Sequence, residues 1–402
     1  MLVTDSHEFL ELYRGDKDYR LGQALVQLRP DLSFVSFAPR SVSPVERTLL
    51  GKTRLDATDL PELPDRMSLR LLRSVGIRFA RKEGGGIFSL MPGYGRALRR
   101  AAPDVMIENP YTWLTPRSYT TARVARTLGV PVVYYDPGDD VPVTTMQRLL
   151  LPLERPVVNR AAAIITYNAV GRNRFITKYG YPADRISIIP KPIDVPRWRR
   201  PELRDEARAS LGISPDTFVV AYSGRLTRFR GSTALAAAAR MANADARFND
   251  VMFLFIGGTM SSDVDVAEYR GPNTIVTGMI PNDEMPAMLA ATDAMVFPDL
   301  TTKAGFTTAL AEAMAAALPI IVGANAEQGS VPLEDGVDAL FCESGSAASI
   351  LDAVSRLKAE PALARSLGDG AGRLASDTMD YPRVASAYLD ILERVVADGR
   401  PH

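Results

Sequence analysis

The stretch P-D-L-T-T-K-A-G-F-T-T-A-L-A-E-A-M-A-A-A-L-P-I-I-V, residues 298–322, decides how the chain is read. It opens at the end of an apolar strand, 294–298, and passes through a short loop holding Gly305. It then enters a run of alanines and leucine with high helix propensity. A second apolar strand, 319–323, follows at once. Strand, loop, helix and strand in that order make the βαβ unit of a parallel sheet.

Ligands of open parallel sheets sit beyond the carboxyl ends of the strands, where free helix N–H groups favour anions. Thr307 and Thr308 are suited to cap this helix, and Glu312 falls one turn beyond Thr308 on the same face. Alone, Glu312 reads first as a solvated helix residue, because most glutamates are exposed.

The same grammar extends in both directions. Downstream of residue 217, strands are expected over 218–223, 252–256 and 274–276, with helices from Ser232 and over 282–291. Upstream, short β-branched runs occupy 1–4, 32–38, 104–108, 130–136, 162–167 and 186–189, and an amphipathic helix is expected over 19–28. Continuous rather than alternating apolar strands imply burial on both faces. Between the two series lies I-P-K-P-I-D-V-P, residues 189–196, a stiff segment that can continue neither a helix nor a central strand. The crossing between domains is placed there, giving an N-terminal domain 1–194 and a C-terminal domain 195–380, with a cleft between them. Helices follow over 347–358, 361–374 and 381–397, and the segment 381–402 is expected to pack back across the first domain.

Composition narrows the function. At 402 residues the chain is long enough for two domains with separate cores. Lys plus Arg equals Asp plus Glu at 47 each, so no global field points to nucleic acid and any anion site must be local. The single cysteine, Cys342, excludes an intrachain disulfide, favours a reducing compartment, and in A-L-F-C reads as a buried small hydrophobe. With only His7 and His402, a histidine metal cage is not expected. The opening M-L-V-T-D-S-H-E-F carries acid early and does not read as a secretory leader, and no long uncharged apolar run appears, so a cytoplasmic location is expected.

Charge is locally unbalanced between residues 65 and 100. Arg66, Arg70, Arg73, Arg78, Arg81, Lys82, Arg96, Arg99 and Arg100 face only Glu83. Leu69, Leu72, Val75 and Phe79 recur at helical spacing, so residues 66–82 are expected to form a basic amphipathic helix before the glycines at 84–86. Such a helix is either a solvated surface element or a contact with an anionic membrane or acidic acceptor.

Three more loops follow strand ends. S-G-R-L-T-R-F-R-G, residues 223–231, places Arg225, Arg228 and Arg230 between two glycines and ahead of a helix. Guanidinium forks and helix N–H groups together suit a diphosphate, although a basic surface loop has the same composition. Gly257 and Gly258 follow one strand, and Gly278 follows another; they allow close backbone approach to a ligand or serve as turns.

From the proline segment to the C-terminal helices this pattern resembles the GT-B glycosyltransferases, within them the family 4 type that includes glycogen synthase-like and bacterial envelope and exopolysaccharide transferases. A G-R-L-x-x-x-K-G segment of that family supplies two cations to the donor diphosphate; it matches Arg225 and, with Arg in place of Lys, Arg230. A glycine-containing strand end matches Ile256, Gly257 and Gly258, and a G-x-(I/V) turn at the base matches Gly278, Met279 and Ile280. The second Glu of an E-x7-E motif, which binds ribose, matches Glu312. The resemblance implies two tandem Rossmann-like α/β domains with parallel sheets. It also implies a retaining, metal-independent transfer from a nucleotide diphosphate sugar, with no cofactor beyond that donor.

The sequence departs from the family at several positions. Ala304 stands where the first Glu belongs, beside Lys303 and Asp299. In V-V-Y-Y-D-P-G-D-D, residues 132–140, Gly138 stands about where the family has a catalytic histidine, leaving Asp136, Asp139 and Asp140 as polar candidates. The glycine-rich loop after the first strand is replaced by a region with His7, Arg14, Gly15 and Lys17. The expected catalytic set is therefore Arg225, Arg230, Asp136 and Asp139. The expected donor-binding set is Gly224, Gly257, Gly258, Gly278, Ile280, Lys303, Gly305, Phe306, Thr307, Thr308 and Glu312. Expected partners are a nucleotide sugar and a glycan, lipid-linked or small-molecule acceptor, with residues 66–82 as a membrane contact. Two other readings stay open: a catalytically impaired nucleotide-sugar-binding partner of another transferase, and a sugar-nucleotide epimerase on the same fold.

Overall fold

Two parallel sheets, each built from continuous apolar runs, organise the chain. The computed structural model describes residues 1–7, 17–41, 51, 53–55, 60, 62–78, 87–109, 114–136, 145–228, 230–259, 264–298, 307–324 and 331–399. These fall into two units: residues 1–192 with 381–402, and residues 193–380.

The first unit runs β1 (Leu2–Ser6), α1 (Lys17–Leu28), β2 (Ser33–Pro39), β3 (Met67–Leu72), β4 (Val75–Arg78), β5 (Ile87–Leu90), α2 (Tyr94–Ala101) and β6 (Val105–Glu108). It continues through α3 (Pro116–Leu128), β7 (Val132–Asp136), α4 (Thr145–Val158), β8 (Ala163–Thr166), α5 (Ala169–Arg174) and β9 (Ile186–Ile188). Seven strands pair in the order β3-β2-β1-β6-β7-β8-β9, all parallel, so the winding reverses between β1 and β6. Residues of β1, β6 and β8 are buried from end to end or nearly so, as strands covered on both faces must be.

The second unit runs α6 (Val195–Trp198), α7 (Arg204–Ser210), β10 (Phe218–Ser223), α8 (Ser232–Ala242), β11 (Val251–Ile256), β12 (Thr274–Gly278), α9 (Met285–Ala290), β13 (Ala294–Phe297), α10 (Thr308–Ala315), β14 (Ile320–Gly323), β15 (Leu340–Cys342), α11 (Ala347–Ala359) and α12 (Pro361–Met379). Its sheet order is β12-β11-β10-β13-β14-β15, with the reversal between β10 and β13. The alanine-rich α10 is buried from Leu310 to Ala315. Small side chains allow this: Gly368 on α12 comes so near the turn after α10 that a Cβ there would lie 2.4 Å from the Ala317 carbonyl oxygen.

The last helix, α13 (Tyr381–Ala397), lies on α1 in the first unit, where Val384, Ala385, Tyr388, Ile391 and Leu392 join Leu25, Val26 and Val3 in one core. Arg29 and Glu393 pair across these two helices. Cys342 is buried, and burial pushes its thiol up to about 11.

The described part of the segment 66–82, residues 66–78, is not helical. Residues 67–72 form β3, paired with β2 in register Phe34↔Met67 to Pro39↔Leu72, and residues 75–78 form β4, antiparallel to β5. Met67 and Leu69 are buried while Arg70 is exposed, the two-residue period of a strand. Arg66, instead of lining a helical face, donates to the carbonyls of Val26 (2.6 Å), Arg29 (2.7 Å) and Leu32 (3.2 Å) and so satisfies the end of α1. In place of the amphipathic helix expected to meet a membrane, the described residues form an edge strand and one strand of an antiparallel pair. The rest of that segment, Phe79, Arg81, Lys82, Glu83 and the glycines at 84–86, lies outside the described residues.

Candidate functional site

The carboxyl edge of the second sheet carries the residues singled out from the sequence. Parallel pairing of β10 with β11 and of β11 with β12 brings three strand-end glycines into contact. Gly224 N–H donates to the Ile256 carbonyl at 3.0 Å, and Gly257 bridges Gly278. A Cβ on Gly257, whose φ is +147°, would lie 2.0 Å from the Gly224 carbonyl oxygen, so the position requires glycine. The same argument holds at Gly231, where φ is +68° and a Cβ would lie 2.1 Å from the Pro298 carbonyl oxygen. That contact joins the loop after β10 to the end of β13, the two strands flanking the reversal of strand order, where doubly wound sheets bind ligands.

The described residues of the loop after β10, 224–228 and 230–231, are tied in place by hydrogen bonds. Tyr222 Oη donates to the Arg225 carbonyl at 2.8 Å, Leu226 N–H donates to Gly258 O at 3.2 Å, and Leu226 itself is fully buried. Ser232 Oγ donates to Thr227 O at 2.9 Å, accepts from Thr227 N–H at 3.0 Å, and lies 2.8 Å from Tyr269 Oη. Arg230 N–H donates to Thr227 Oγ1 at 3.2 Å. A buried leucine between an exposed Arg225 and a half-buried Arg230 thus holds both cations on a rigid loop. Arg228 pairs with Glu268 at 3.0 Å on the surface.

Thr307 caps α10, its hydroxyl accepting from Leu310 N–H at 3.1 Å, and Thr308 opens the helix. Glu312 is only 6% exposed, which rules out a solvated helix position. Ile280 packs against the core beneath the sheet, while Met279 beside it is exposed. Gly258 lies against Met279, where a Cβ would be 3.4 Å from Cγ.

The carboxyl edge of the first sheet is built from paired charges. Asp136, at the end of β7, is fully buried with its carboxylate on Arg174. Glu108, at the end of β6, accepts from Ser6 Oγ (2.7 Å), Ser118 Oγ (2.9 Å) and Thr121 Oγ1 (2.8 Å) and pairs with Arg117 at 3.1 Å. Burial pushes its carboxyl up, opposed by Arg117 and these three hydroxyls. His7 Nε2 lies 2.9 Å from both Asp5 Oδ2 and Ser36 Oγ, and all three residues are buried. Sequence reasoning missed Arg174, Glu108 and Arg117; an acid or histidine closing an otherwise apolar strand, as in V-M-I-E, is the signal that marks such positions.

Asp139, Lys303, Gly305 and Phe306 lie outside the described residues, as do Arg14, Gly15, Gly138, Asp140, Asp299, Ala304 and His402. Among the described residues no group of three or more His, Cys, Asp and Glu could hold a metal ion, and no helix is long and apolar enough to cross a membrane.

Residues 19–197 match the family described as Glycosyltransferase Family 4, and residues 217–360 match Glycosyl transferases group 1. The chain is a GT-B glycosyltransferase. It is 25% identical over 371 residues to D-inositol 3-phosphate glycosyltransferase 1 of Catenulispora acidiphila, covering 87% of this chain and 86% of that protein. It is 24% identical to D-inositol 3-phosphate glycosyltransferase of Streptomyces bingchenggensis over 59% of this chain, spanning little more than half (54%) of that relative. The fold matches Anabaena HepE, crystallised with UDP and glucose, at a TM-score of 0.71 and 16% identity over 97% of this chain and 99% of that one. Two parallel-sheet Rossmann-like domains are thus common to the glycosyltransferase and its structural relatives.

Proposed function

We propose that the carboxyl edge of the second unit holds the diphosphate of a nucleotide sugar, with a uridine nucleotide as the first donor to test. The observation that carries this reading is the joining of the 224–231 loop to the end of β13 at Gly231 and Pro298, since β13 is the strand that α10 follows; it supports bringing Arg225 and Arg230 to one diphosphate with that helix. Guanidiniums bind phosphate oxygens in pairs, and a helix N-terminus adds positive potential without reorganisation. These groups stabilise the departing diphosphate, and Glu312 orients the ribose. HepE, which shares the fold, was crystallised with UDP and with UDP-glucose, and this supports the same donor class.

In this reading transfer proceeds with retention and without a metal, and the acceptor, a glycan, a lipid-linked group or a small molecule, is taken by the first unit. Asp136 acts through Arg174, which it positions, while Asp139 remains a candidate for direct contact with the acceptor. The reaction is placed in the cytoplasm, in keeping with a lone, buried cysteine.

A thermal-shift panel of nucleoside diphosphate sugars tests the donor site, because a ligand bound only to the folded protein raises its stability. The shift is expected with a uridine diphosphate sugar and is expected to fall in Arg225→Ala and in Glu312→Ala. An undiminished shift in both variants rejects this placement. Transfer measured with excess EDTA is expected to match the untreated rate, and loss of activity that magnesium restores would contradict the metal-independent reading.

A further inference from the structure

The first unit contains a cavity of about 310 Å³ between α3, α4 and the start of β7, which the reading above leaves unused. Its walls are Tyr119, Arg123 and Arg126 from α3, Tyr134 from β7, Val157 from the end of α4 and Arg160 from the turn after it, with small apolar residues between them. No carboxylate lines it. Arg123 and Arg126 stand one turn apart on α3 at that opening, and like charges so close favour an anion between them. Arg123 and Arg126 are exposed, and neither side chain has a hydrogen-bond or ion-pair partner among the described residues.

A second observation points the same way. Tyr134 lines the cavity yet is only 1% exposed, and its hydroxyl has no hydrogen-bond partner among the described residues. Burial pushes this phenol far above its ordinary value, so it stays a neutral hydroxyl able to donate to an anion. A hydroxyl that has no protein partner is available to donate to a ligand oxygen.

Position separates this cavity from the crevice at the carboxyl edge. Val132 opens β7 and Ala161 precedes β8, so the cavity sits at the amino edge of the sheet, whereas Asp136 marks the opposite edge. All of its residues belong to the first unit, so the inference does not depend on the donor reading.

We propose that this cavity is an accessory binding site for a phosphate ester. Arg123, Arg126 and Arg160 take the phosphate oxygens, and the body carrying the phosphate packs on Tyr119, Tyr134 and Val157. The volume suits a compact ring or a headgroup, at the lower end of small-molecule sites. Two sources share this chemistry, a soluble sugar phosphate and a lipid headgroup. Leu149 and Leu153, 70% and 63% exposed, continue the Val157 row along α4 at four-residue steps and would meet acyl chains in the second case.

Isothermal titration of the full chain with glucose 6-phosphate, with short-chain dihexanoylphosphatidylglycerol and with inorganic phosphate, at about 0.15 M salt to screen loose ion binding, tests the site. At least one ester is expected to bind saturably and more tightly than inorganic phosphate. Its affinity is expected to fall at least about tenfold in the double variant Arg123→Ala/Arg126→Ala, while UDP binding stays unchanged. Tyr134→Phe, which keeps the ring, is expected to weaken the same ester by a smaller factor. If Leu149→Ser/Leu153→Ser weakens only the lipid probe, the ligand is a headgroup; if glucose 6-phosphate binds regardless of the leucines, it is a soluble ester. The proposal is overturned if neither ester exceeds inorganic phosphate, the result of an adventitious ion only, or if the double arginine variant binds the ester as well as the parent does.

Discussion

At the carboxyl edge of the first sheet, Glu108, Asp136 and His7 are buried and each is held by a neighbour: Arg117, Arg174 and Asp5. At the corresponding edge of the second sheet the strand ends carry glycines, and the arginines stand on a braced loop with Arg225 exposed. One fold therefore appears twice with opposite treatment of charge. The first edge uses ion pairs to fix its own architecture, and a buried charge must have its partner. The second edge removes side chains where backbone approaches backbone and carries its arginines on a braced loop, which the proposed donor site uses for an external anion.

This contrast can be broken or sharpened by substitution. The largest effect is expected from Glu108→Ala, which leaves Arg117 buried without its partner and should destabilise the first unit by about 3–5 kcal/mol, read from denaturant unfolding of that unit. Gly257→Ala sets a Cβ against the Gly224 carbonyl; it should cost about 2–3 kcal/mol and displace the donor loop, so melting temperature and UDP affinity should fall together. Glu312→Ala should weaken a nucleotide sugar about tenfold, roughly 1.4 kcal/mol by calorimetry, through loss of a charge-assisted hydrogen bond. Arg228→Ala should be the mildest, changing stability by less than about 1 kcal/mol, because its partner Glu268 is reached across solvent. A large loss of donor affinity in Glu108→Ala at temperatures where it remains folded would erase the distinction between the two edges.

Much of this architecture was legible because buried parallel strands are short, apolar and β-branched. The strand at 218–223 and the helix at 381–397 were read with the bounds the structure gives. The segment 66–82 was misread because Leu69, Leu72 and Val75 satisfy a helical spacing, while M-S-L-R-L-L also alternates. Arginines that seemed to face solvent from a helix are used elsewhere, Arg66 on carbonyls at the end of α1. The pairing of Arg228 with Glu268 was not legible, because Glu268 lies 40 residues away and only the fold brings it near. The pairing of Asp136 with Arg174, 38 residues apart, was hidden for the same reason. The basic cavity needed two helices and a strand before its arginines could be seen to share one opening.

Calorimetric titration of UDP into the parent chain, Arg225→Ala/Arg230→Ala and Arg228→Ala tests the central claim most directly. The double variant should bind at least about tenfold more weakly while Arg228→Ala stays within about threefold of the parent. Equal affinity in all three proteins would contradict the account.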